Sequence, residues 1–189
     1  MSFNEIKLAA LTCFAEHGYE GASLAQIGEE VGIKKQSIYS HFKGKDDLFL
    51  QLLSETSHEE LRLFSQFIAA HSSTSFKDCL FNNLCNLFTR FEKDARLKFW
   101  LRVSFFPPAH LHHEVMKVVY DHIERAESLL FPQFQKAFEQ KEISRNPEIA
   151  NIAYSAVIDA ICVELVYGGA ERTKRKLEAT WNVYWAGVS

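Results

Sequence analysis

"GIKKQSIYSHFKGK", residues 32–45, holds four lysines, two serines and an isolated Tyr39, with no acid and only Ile33, Ile38 and Phe42 to bury. So short and polar a segment does not fold alone, because nucleating a helix fixes several residues for a single hydrogen bond. The chain supplies a support just upstream. Leu24, Ile27 and Val31 point inward from a short helix that Ser23 is suited to cap and Gly32 to stop. Before it, Phe3, Ile6, Ala10, Cys13 and Phe14 share one face of a first helix, which "HGYEG" closes with Gly18 as a left-handed cap. A third helix is then expected over residues 34–41, with Ile38 and Phe42 four apart on its buried side.

Three helices in about forty residues, the last two short and joined by "VGIK", have the spacing of a helix-turn-helix. The outer face of the third presents Lys34, Lys35, Gln36, Ser37, Tyr39 and Ser40. These side chains suit a DNA major groove, where amide and ammonium groups read base edges and hydroxyl and basic groups hold phosphates. The plain alternative is a solvated outer face. Against it, Tyr39 exposes a ring with no core to serve, and Lys34, Lys35, Lys43 and Lys45 meet no neutralising acid before Asp46.

The remainder of the chain reads as all-α. Apolar residues recur at three and four, and prolines stand only at positions 107, 108, 132 and 147. A fourth helix opens at Lys45, Asp46 and Asp47, whose acids suit its positive end and of which Asp46 is the candidate cap, and it runs to about residue 70. Further helices are expected near 76–92, 95–105, 109–140, 147–167 and 171–187. Pro132 should kink or split the longest, and Pro147 fits a first turn.

Composition narrows the functional classes. At 189 residues with 47% hydrophobic and 24% charged content, the chain suits a soluble protein with a full core, and its sixteen phenylalanines suggest an aromatic interior or a pocket. A net charge of −3 argues against coating nucleic acid generally, so any DNA contact is local. "MSFNEIKLAAL" lacks a secretory pattern, and no uninterrupted apolar stretch approaches about 18 residues, which points to a cytoplasmic protein with no membrane partner. Cys13, Cys79, Cys85 and Cys162 form no CxxC pair and are expected to be buried free thiols.

The segment "FAEHGYEGASLAQIGEEVGIKKQSIYSHFKGKDDLF", residues 14–49, resembles the N-terminal signature of the TetR family of bacterial transcription regulators. The resemblance rests on Phe14 and Gly18, Ser23, Gly32-Ile33, the run Tyr39-Ser40-His41-Phe42, and Lys45. It implies that Lys35, Gln36 and Ser40 face bases. Ser37, Tyr39, His41 and Lys45 would then grip phosphates, with Tyr39 also near a thymine methyl, and the N-terminus of the second helix at Ser23 and Leu24 would offer N–H groups to a phosphate. Ala25 stands where relatives place a longer base-reading side chain. No arginine precedes Arg62, so the bidentate guanine contact is missing and affinity should lean on dimerisation and phosphates.

The same resemblance implies an all-α chain in two parts: a helix-turn-helix DNA-binding head over 1–47, joined by a long helix to an effector-binding and dimerisation body over 48–189. The partners implied are double-stranded operator DNA, a second copy of the chain, and a small, mainly apolar effector. Phe64, Phe67, Phe88, Phe91, Trp100, Phe105 and Phe134 are the candidate aromatics of the effector site. "IANIAYSAVIDAICVELVYG" is apolar nearly all round, so Ile152, Val157, Ile161 and Leu165, with Leu177, Trp181 and Tyr184 of the last helix, are candidates for dimer contact as well as for core. Asp159 and Glu164 interrupt that helix, and a buried carboxylate is costly unless paired. Either a cationic effector or a basic partner across the dimer would answer them, and Asp159 is the residue expected to bear on effector choice.

Other chemistry finds little support. "HLHHE", residues 110–114, fits no zinc motif, and no GxSxG, P-loop or GxGxxG occurs, so neither an enzyme nor a bound metal or cofactor is expected. The competing class is a helical ligand-binding or protein-docking module without operator binding.

Overall fold

The computed structural model describes residues 3–189 and, among them, nine α-helices and one 3-10 turn, with no strand. The helices are α1 (Phe3–Gly21), α2 (Leu24–Glu30), α3 (Lys35–Ile38), α4 (Lys45–Ala70), α5 (Phe76–Phe91), α6 (Ala95–Phe105), α7 (His112–Glu139), α8 (Pro147–Tyr167) and α9 (Gly169–Val188). The turn, Ala109–Leu111, precedes α7. The first two residues of the head expected over 1–47 lie outside the described residues.

The helices pack into two units. One comprises the chain up to Glu60 together with Lys93–Asp121; the other comprises Leu61–Glu92 and His122–Ser189. In the first, Ile6, Ala10 and Phe14 of α1 are buried with Ile27 of α2, Phe49 and Leu53 of α4 and Phe99 of α6. Phe49 meets Phe14 and Phe99 edge to face, at centroid distances of 5.2 and 5.5 Å, an arrangement that sets the negative ring face against a positive edge. Lys7 is buried too, its ammonium donating to Glu55 and lying 4.1 Å from the Phe3 ring centroid.

The second unit is built on α5, α8 and α9. The Tyr154 hydroxyl donates to the Leu80 carbonyl at 2.7 Å and accepts from the Asn83 amide at 3.1 Å, while Tyr184 donates to the Ala150 carbonyl at 2.9 Å. Among the described residues, no buried side-chain nitrogen or oxygen lacks a partner. The end of α9 is fastened where the Ser144 N–H donates to the Val188 carbonyl at 2.7 Å.

Several local features depart from expectation. Gly18 has the positive φ of 71° but a ψ of −179°, so it kinks α1 and the helix resumes to Gly21. The third helix is shorter than 34–41, with residues 39–41 closing as a turn, and Val31 and Ile33 are only half-buried. At the start of α4 it is Asp47, not Asp46, that accepts from a free backbone donor, the Lys43 N–H at 2.8 Å. Helix α7 passes through Pro132 unsplit, because the residue is exposed and water can serve the carbonyl it leaves unbonded. Asn146 caps α8 with Pro147 in its first turn. All four cysteines are free, but only Cys79 and Cys162 are buried; Cys13 and Cys85 are half-buried. By length and composition alone α8 is long and apolar enough to cross a membrane, although it carries Glu148, Asp159 and Glu164.

Candidate nucleic-acid interface

α3 is a single turn of helix, held from behind by Ile38, fully buried, and Phe42, 2% exposed. Its footing on α2 includes a backbone contact, the Ile33 N–H donating to the Gly28 carbonyl at 2.8 Å. A Cβ on Gly28 would lie 2.8 Å from the Ile33 oxygen, so glycine permits the close approach. Ser23 caps α2: its hydroxyl accepts from the Gln26 N–H at 3.2 Å and donates to the Gln26 side-chain oxygen at 2.8 Å.

Lys34, Lys35, Gln36, Ser37, Tyr39, Ser40 and His41 are all exposed, and Tyr39 is 51% so. The Lys35 ammonium stands 5.9 Å from the Tyr39 ring centroid, keeping charge and ring together on one face. Ser40 is the exception to a free outer face, since its hydroxyl donates to the Ser37 carbonyl at 2.7 Å and retains only lone pairs for a further partner. The His41 ring lies 6.2 Å from Phe3, which stacks on Phe42 at 5.0 Å. The α1 start thus steadies the C-terminal end of this face.

Lys45 is half-buried, its ammonium 4.0 Å from the centroid of Tyr19. Tyr19 in turn donates to Asp46, and Nε2 of His110 stands 3.3 Å from the other Asp46 oxygen. The Tyr19 hydrogen bond and then His110 hold the Asp46 carboxyl below the usual aspartate range; burial and the same hydrogen bond push the Tyr19 phenol up. Asp47 is likewise lowered, by the Gln51 amide and the Lys43 N–H. Sequence reasoning missed Tyr19 and His110 as neighbours of Lys45 and Asp46. No spacing signal joins His110 to α4.

The residues expected to hold an effector divide between the units. In the first, Trp100 is buried and Phe105 half-buried; in the second, Phe64, Phe67, Phe88 and Phe91 are half-buried. Phe134 is fully buried against Phe76, ring centroids 4.8 Å apart, and is core. Asp159 is exposed rather than buried, because it points away from the core its neighbours enter. Two hollows lie within single units: a groove of about 720 Å³ between α1 and α2, floored by Leu8, Cys13 and Ile27, and one of about 60 Å³ beside His71 and Glu142. Neither is lined by the candidate aromatics.

The dimer candidates also divide. Val157, Ile161, Leu165, Leu177, Trp181 and Tyr184 are buried by their own chain, whereas Ile152 is 54% exposed. Ile149, Tyr167 and Val183 are the other large apolar side chains that α8 and α9 leave uncovered. Glu164 needs no partner across a dimer, since Arg172 at 2.6 Å and Lys176 at 2.7 Å from α9 donate to it.

Residues 6–52 match the model of the bacterial regulatory proteins of the tetR family. The HTH-type transcriptional repressor AcnR of Corynebacterium diphtheriae is 47% identical over 55 residues, which are 29% of this chain and 29% of that protein. A structure described as a TetR-family transcriptional regulator from Mesorhizobium loti superposes with a TM-score of 0.74 at 21% identity, over 98% of this chain and 96% of that one. The transcriptional regulator FadR of Bacillus subtilis, solved with stearoyl-CoA, gives 0.71 at 16% identity over the whole of both chains. The last two likenesses establish the fold.

Proposed function

The chain belongs to the TetR family of bacterial regulatory proteins through the first quarter of its length, and from that premise we propose that it is a cytoplasmic, homodimeric transcriptional repressor of a near-palindromic operator, released by a small, mainly apolar effector. Residues 1–47 serve as the DNA-binding head and residues 48–189 as the body that binds the effector and the second copy. The observation that carries this reading is the exposed face of Lys34, Lys35, Gln36, Ser37 and Tyr39 over a buried Ile38 and Phe42. Lys35 and Gln36 read base edges in the major groove; Ser37, Tyr39, His41 and Lys45 hold phosphates.

One head holds a half-site weakly. Two heads fixed by a dimer reach half-sites about 34–36 Å or a multiple apart, which is why a two-fold protein prefers a palindrome. The effector acts by binding the DNA-incompetent arrangement more tightly, and it shifts the equilibrium by no more than that difference, typically about 1–3 kcal/mol. Support for a ligand-responsive body comes from the stearoyl-CoA complex of FadR and from the half-buried Phe64, Phe67, Phe88 and Phe91 of the body.

The test is a gel shift, across salt concentrations, on DNA upstream of the protein's own gene. Tyr39→Ala should abolish binding, and Lys174→Ala, in the exposed basic run of α9, should leave it nearly intact. The reverse result relocates the site, and no operator preference at all returns the chain to the docking-module class.

A further inference from the structure

Helix α8 sorts its residues onto two sides. Tyr154, Val157, Ile161 and Leu165 are buried in their own unit. On the other side, at steps of three and four, run Ile149, Ile152, Ala156, Asp159, Val163 and Tyr167; Ile149 is 65% and Tyr167 60% exposed. A window of this helix has a mean hydropathy of 1.8, yet its own chain buries only 44% of it. So apolar a surface left in water calls for a cover. Asp159 is the one charge on the stripe, and it stands beside the midpoint of Ile149 and Tyr167.

In a two-fold contact the same patch serves both subunits, and a residue on the axis meets its own copy. Crossing α8 with a second α8 in the antiparallel sense about Asp159 lays Ile149 and Ile152 of each helix against Val163 and Tyr167 of the other. The stripe is therefore self-complementary at its ends and like-charged at its centre. We propose that a second copy of the chain packs on this stripe with the two Asp159 carboxyls meeting across the axis and sharing a proton, so that self-association strengthens as pH falls. The inference rests on the homodimer reading above and adds its regulation.

Among the described residues, no cation acts on Asp159. Partial desolvation, with repulsion from Glu127 of α7, already holds its carboxyl above the ordinary aspartate range. From α9, Arg172 and Lys176 are committed to Glu164; on α8 itself the buried Cys162 thiol is pushed up by burial and by Asp159, and so stays neutral. Two carboxylates in contact cannot both ionise. The dimer thus binds more protons than two separate chains, so association is favoured below the raised value and weakens as pH rises through it.

Sedimentation equilibrium of the full chain from about pH 5 to about pH 8 tests this. The wild-type dimer should weaken by about fivefold or more over that range, since one shared proton changes the constant by up to about tenfold per pH unit within its window. Asp159→Asn, a change of similar shape on an exposed residue, should give a flat profile as tight at pH 8 as the wild type at pH 5. Ile152→Glu should weaken association at every pH. A wild-type dimer indifferent to pH, an Asn variant that keeps the wild-type profile, or an Ile152→Glu variant that dimerises normally overturns the inference and leaves the homodimer standing. A chain that stays monomeric throughout, or floats as a monomer with phosphatidylcholine vesicles, overturns both.

Discussion

The guanidinium of Arg102 fills the space where Gly18 has no side chain: a Cβ there would lie 3.2 Å from Nη1. With φ at 71° and ψ at −179°, Gly18 also occupies backbone territory essentially reserved for glycine. Gly18→Ala should therefore destabilise the protein by about 1–3 kcal/mol, read as a lowered denaturation midpoint. Gly187→Ala, at a site with open space, should cost far less.

Tyr154→Phe keeps the ring against Phe134 and Tyr184 but strands the buried Asn83 amide. A buried donor left without its acceptor costs about 1–3 kcal/mol. Thermal unfolding should show the loss, and Tyr154→Phe with Asn83→Leu should recover part of it.

Glu164 is held below the usual glutamate range by hydrogen bonds from Lys176 and Arg172. The unfolded chain then binds more protons than the native one across the window between the two values. This contribution to stability is present above the ordinary glutamate value and is lost as pH falls through the depressed one. Glu164→Gln should melt below the wild type at pH 6, with the gap closing below about pH 4, near where a free glutamate titrates. A gap that does not change with pH would separate packing from charge.

Among the residues proposed to face the groove, Gln36→Ala should relax operator preference at one base position by about 1–3 kcal/mol, while Ser37→Ala should weaken binding about equally on all sequences. Fluorescence anisotropy on an operator and its single-base variants distinguishes the two.

Much of this was legible in the chain because the relevant forces are local. Ile38 and Phe42, four apart, gave α3 its buried side, and Ser23 and Pro147 marked helix starts by rules that hold within a turn; the Asn146 cap beside Pro147 went unread. The Lys45 setting was not legible, since Tyr19, Asp46 and His110 meet only through tertiary packing. Nor could the pattern on α8 separate Ile161 from Ile152, one fully buried and one 54% exposed, because a helix apolar all round has no polar face to mark which side is out. Lys7 was unreadable for the opposite reason: a lysine among apolar neighbours gives no sign that a distant Glu55 will receive it.

Because α3 is anchored through the buried Ile38 and Phe42 and the backbone contact of Ile33 with Gly28, the fold places almost no demand on the side chains at positions 34–37. Surface substitutions remote from such anchors usually change stability by no more than about 0.5 kcal/mol. On the function proposed above, descendants of this chain could thus trade one set of target promoters for another by point changes in a single helical turn, with the rest of the scaffold inherited untouched.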